Sequence, residues 1–179
     1  MVGAILQELL SLVLLFYLLR LRRAHRSYLG LNWHWSDPLI GLGLLIFVRI
    51  VGALFWTILY TAPGWGWRQT DVRTILLGNS AVPVLAWLFA GLNPFFEELI
   101  VRAFVMTEII ALTQRSGLAL LASVLLQTSY HTYQGPANVI RLAISFTIFA
   151  AYFAQKRRIL PVIFAHMYMD YWFLLAARP

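Results

Sequence analysis

In a chain that is otherwise apolar, a few polar side chains have the types and spacings that hydrolytic chemistry requires. Glu97 and Glu98 are adjacent, Arg102 lies four residues after Glu98, and His131, His166 and Asp170 follow. A charged group at bilayer depth costs about 2.5–3.5 kcal/mol on insertion scales, so such a cluster needs a reason. At a spacing of four, Glu98 and Arg102 share a helix face and can neutralise each other. Glu97 points about 100° away from Glu98, which leaves its carboxylate free. His166 and Asp170 also share one face. An acid without an ion partner, two imidazoles and an Asp around one interior make a set fit to activate water. Gln127, four residues before His131, is placed to orient it.

Asn93 is a natural N-cap and Pro94 a natural first helical residue, which predicts a helix from Asn93 to about Thr113. Glu97 then sits in its first turns, where the macrodipole favours negative charge. Only 12% of the 179 residues are charged and 61% are hydrophobic, with mean hydropathy +0.75. A soluble domain carries about 25% charged residues. The expected fold is all-α: one polytopic transmembrane bundle, 1–179, of six to seven spans around a buried polar cavity. Residues 1–90 supply N-terminal spans and 91–179 the catalytic core helices. The expected location is an integral, multi-pass membrane protein, with a prokaryotic plasma membrane favoured over the eukaryotic ER.

The expected spans cover 4–19, 38–60, 75–92, the helix from Asn93, 118–133, 138–154 and 159–177. The first is short enough that an interfacial anchor competes with it. Basic turns lie at Arg20, Arg22, Arg23 and Arg26, and at Lys156, Arg157 and Arg158. Five spans between them would put the two clusters on opposite sides, against the positive-inside rule, so sidedness stays open. The net charge of +7 is read as loop arginines facing anionic headgroups. No polar basic face suits nucleic acid. With no cysteine, thiol catalysis, disulfides and Cys-type zinc sites are excluded.

Plain structural readings compete for several residues. Glu98–Arg102 reads first as a buried structural pair. His25 and His34 sit among loop arginines and tryptophans and need no special role. Glu108 follows Glu97 by three helical turns and points either into the same cavity or to the opposite interface. Arg49 and Arg141 are set in apolar surroundings, Arg141 near enough to a helix start to snorkel.

Glu97-Glu98-x-x-x-Arg102, a histidine at a helix end, and His166-x-x-x-Asp170 after a basic turn and Leu160-Pro161 resemble the CPBP family of intramembrane proteases. That family includes the type II CAAX prenyl endopeptidase and Abi-like proteins. The resemblance implies Glu97 as general base, with His131 assisting at the water and His166 lining the site. It implies Glu98 and Arg102 as supports of the site, to which the spacing from His131 adds Gln127. Asp170 stands where the family has Asn, a side chain held to stabilise the oxyanion. An Asp cannot donate unless protonated, and the family's Phe four before the first histidine is here Gln127. No cofactor is expected; zinc on His131, His166, Asp170 and Glu97 is the alternative. The implied partners are membrane lipids and a lipidated or membrane-anchored protein, cut at a prenylated C-terminus or at a C-terminal anchor or sorting signal. The competing class is a non-proteolytic membrane protein, an immunity-type partner or a proton or ion pathway. A relay needs its polar groups spread across the bilayer, a hydrolase needs them converging on one point.

Overall fold

The computed structural model describes residues 2–61 and 84–176. Helix α1 (Val2–Leu21) leads through a 3-10 turn (Arg26–Leu29) into α2 (Asp37–Thr61). Helix α3 spans 84–113 in three continuous segments: α-helical Val84–Glu97, π-helical Glu98–Phe104 and α-helical Val105–Thr113. Helix α4 (Ser116–Ser129), a 3-10 turn (Thr132–Gln134), α5 (Pro136–Lys156) and α6 (Leu160–Ala176) complete the bundle. No strand occurs among the described residues.

Among the described residues, three helices are long and apolar enough to cross a membrane: α1, α2 through Ile58, and α5. Helices α4 and α6 are shorter apolar helices. Many large apolar side chains on α1 and α2 are exposed, among them Leu10, Val13, Leu54 and Ile58. A soluble monomer would not leave such faces bare; lipid covers them here. The expected loop 61–74 lies, past its first residue, outside the described residues, as does 75–83 of the expected third span.

Asn93-Pro94 does not begin a helix. Both residues lie inside α3, and the described part of the expected third span, 84–92, is continuous with the helix after it. Pro94 has no N–H to give back to the preceding turn, and a bundle interior tolerates that loss through local π adjustment. The widened turn opens four residues later, at Glu98. A π segment carries more residues per turn, so neighbouring side chains diverge less than in an α-helix.

Side-chain contacts bring the two charge clusters together. Arg22 donates to Glu108 at 2.7 Å, Arg157 donates to the Thr107 hydroxyl at 2.7 Å, and Arg158 pairs with Asp37 at the start of α2. The ends of α1, α3 and α5 and the starts of α2 and α6 therefore meet at one basic end of the bundle. Both basic turns lie together there. Gly30 helps to close this end in a left-handed conformation, φ 68°. Its carbonyl accepts from the Ile159 N–H at 3.2 Å, and a Cβ on Gly30 would collide with the Arg157 carbonyl.

The core is built where α3, α5 and α6 cross, from Ala103 and Met106, Phe149 and Phe153, and Val162 and Ile163. Helix α2 lies close on α6 because Gly41 has no side chain. A Cβ there would come within 2.7 Å of Phe164. Small residues at a helix contact are how membrane helices approach closely.

Candidate active site

The π segment carries Glu98 and Arg102 into the interior. Both are fully buried and form an ion pair, as the four-residue spacing predicts. Glu98 is not spent on that pair alone. Its Oε1 also accepts from His166 Nδ1 at 2.8 Å, which ties α3 to α6. Arg102 donates to Gln127 Oε1, tying α3 to α4, and stacks 5.6 Å from the centre of the Phe149 ring.

Glu97 is buried but not free. Its Oε2 accepts from Gln127 Nε2 at 2.9 Å and its Oε1 from Asn93 Nδ2 at 3.3 Å. Two amides thus hold the carboxylate, and neither neutralises its charge. The same Gln127 nitrogen lies 3.5 Å from Glu98 Oε1. The neighbouring carboxylates converge on one donor instead of diverging by 100°, because the helix begins to widen between them.

Gln127 therefore does not orient His131 with its side chain. Its backbone does: His131 Nδ1 lies 2.7 Å from the Gln127 carbonyl. A carbonyl only accepts, so Nδ1 is the donor, and any lone pair the ring offers lies on Nε2. His131 ends α4 and packs between Tyr130 and Phe146. Asp170, one turn beyond His166 on α6, has Oδ1 3.7 Å from His166 Nε2.

Glu97, His131, His166 and Asp170 line a single cavity of about 730 Å³, walled by α2, α3, α5 and α6 and by the end of α4. Glu108 is not among them. It accepts from Arg22 and, at 2.9 Å, from the Tyr28 hydroxyl at the basic end. Burial first, then the Glu108 carboxylate, raise the Tyr28 phenol above its ordinary pKa. His25 caps the 3-10 turn and His34 lies beside Asp37, as their plain readings require. Among the described residues, no three His, Asp or Glu side chains come together as a group able to hold a metal.

Three residues of the site were not singled out in the sequence for chemistry. Asn93, read as a helix cap, uses its amide to bridge Glu97 and Glu8, with Glu8 Oε1 at 2.9 Å. Glu8, on α1, is buried. An acid inside a spanning segment was the available signal. Tyr130 lines the cavity with its hydroxyl beside Glu97 and Gln127. Nothing distinguishes its sequence position from the other tyrosines.

A family model described as Rce1-like, type II CAAX prenyl endopeptidase, matches residues 79–172, just over half of the chain. The chain belongs to that family. The Rce1-like match runs from before α3 into α6, taking in all four cavity residues, while Glu8 lies outside it. Membership identifies an integral membrane protein of a peptide-hydrolase class. Curated proteins and solved structures returned no match.

Proposed function

We propose that this chain is an intramembrane endopeptidase in which Glu97 activates the attacking water. The observation that carries the reading is the Glu97 carboxylate, hydrogen-bonded by two amides but, among the described residues, without an ion pair, on a cavity it shares with both histidines. A water between Glu97 and the bare Nε2 of His131 gives a proton to Glu97 as its oxygen adds to the peptide carbonyl. The C–N bond then breaks, and Glu97 returns that proton to the leaving nitrogen. Glu98 and Arg102 act on the site through others, by fixing His166 and Gln127.

Asp170 carries no N–H for the oxyanion, so the donor must come from elsewhere. Tyr130 presents an O–H at the Glu97 edge of the cavity and fills that role. Tyr130→Phe keeps the ring and removes only the donor. It is expected to lower kcat by about 10²-fold with little change in KM, the signature of an interaction made in the transition state. Unchanged kcat would rule Tyr130 out as that donor.

Catalysis proceeds through these side chains without zinc. Cleavage of a prenylated peptide by purified protein in liposomes is expected to persist after exhaustive chelation, at the rate seen before it. Loss on chelation with recovery on adding zinc would restore the metal reading. The basic end faces the cytoplasm by the positive-inside rule, and the substrate is a membrane-anchored or lipidated protein tail.

A further inference from the structure

Each of the two amides that hold Glu97 is itself held from another helix. Gln127 of α4 donates to Glu97 Oε2, and its own Oε1 accepts from Arg102 of α3. Asn93, one turn before Glu97 on α3, donates through Nδ2 to Glu97 Oε1 at 3.3 Å and to Glu8 Oε1 of α1 at 2.9 Å. An amide nitrogen carries two N–H groups, one for each acid. The Glu97 contact is longer than the usual N–H···O bond and would not fix the Asn93 side chain by itself. The shorter contact to Glu8 does.

Stability does not account for Glu8. It is 5% exposed on a helix of spanning length, where a carboxyl is costly. Its Oε2 is buried with no hydrogen-bond partner among the described residues. One hydrogen bond from a neutral amide does not offset that cost. Helix α1 is docked on α3 by other means, at the basic end. There Arg22 donates to Glu108 and lies over the Phe104 ring. Glu8 is fourteen residues back along α1, about 21 Å at the helical rise. A costly group that serves a site at the expense of stability is a familiar exchange.

We infer that Glu8 is a positioning residue for Glu97: from α1 it fixes the Asn93 amide, and that amide fixes the carboxylate that takes the proton from water. This rests on the reading of Glu97 as the base. The working unit then extends from residues 79–172 to a helix outside the family match. Proton transfer needs donor and acceptor aligned, so a base free to turn loses rate without losing substrate.

The test follows cleavage of a prenylated peptide in liposomes beside thermal unfolding. Glu8→Leu is expected to lower kcat about tenfold or more at unchanged KM. Its unfolding midpoint should hold or rise, because an apolar side chain replaces a buried acid. Glu8→Gln keeps an accepting oxygen for Asn93 and should recover most of the lost rate. Arg22→Gln loosens α1 at its other end and should leave kcat as it was. An unchanged kcat in Glu8→Leu, or an equal loss in Arg22→Gln, would overturn the inference. So would a fall in kcat that merely tracks a falling midpoint. A second readout does not depend on activity: the side-chain amide protons of Asn93, followed by NMR in nanodiscs with isotope-labelled asparagine and assigned by their loss in Asn93→Ala. One proton is expected to shift in Glu8→Leu and return in Glu8→Gln, and the other to shift in Glu97→Gln. Those shifts in a protein that cleaves nothing would support the hold and sink only the hydrolase. Amide protons unmoved by Glu8→Leu count against the hold whatever the activity.

Discussion

Glu97→Gln is expected to abolish measurable cleavage, lowering kcat by about 10³-fold or more while the protein stays folded. Positioned proton transfer contributes about 10²–10⁴-fold, and here one carboxylate both removes the proton from water and delivers it to the leaving nitrogen. The Gln side chain has nearly the same shape and can accept from Asn93 or from Gln127, so the local packing survives. It cannot take up a proton. The measurement is single-turnover cleavage of a prenylated peptide in liposomes, beside thermal unfolding of the same preparation. A folded variant that cleaves within tenfold of the parent rules out Glu97 as the base.

The largest expected effect on stability lies one turn away. Arg102→Met would leave the Glu98 carboxylate fully buried, with only neutral partners and His166 around it. Removing one member of a buried ion pair costs about 3–5 kcal/mol, a large share of the 5–15 kcal/mol by which domains are stable. The detergent-solubilised variant should unfold at a clearly lower temperature and lose activity with it. Adding Glu98→Gln to Arg102→Met removes the stranded charge and should recover much of the stability. His166 then loses its charged partner, so activity is not expected to follow. An unshifted unfolding midpoint in Arg102→Met would show that the pair holds nothing together.

The contrast between Glu98 and Gln127 shows how far local pattern carries. The Glu98–Arg102 pair was legible because it lies within one helix turn, where spacing alone decides who meets whom. Gln127 was correctly placed near the site but given the wrong work. Its side chain crosses to α3 and holds Glu97, Glu98 and Arg102, while only its carbonyl reaches His131. A partner on another helix leaves no trace in the spacing of a single segment. Asn93-Pro94 misled for a related reason. In water the pair would start a helix, but in a membrane bundle unsatisfied backbone is too costly to end one there, so α3 runs on and widens instead.

The amino-acid sequence alone determined the all-helical membrane class and the polar residues that had to share an interior. Composition and the cost of charge in lipid leave little choice in either. Only the tertiary structure decided that α3 is one helix and that both basic turns lie at one end. It also brought Glu8, Tyr130, Arg49 and Arg141 to the cavity of Glu97. Those facts depend on how separate helices face one another, and that is set by packing across the bundle, through contacts such as Gly41 on Phe164, rather than by any short run of residues.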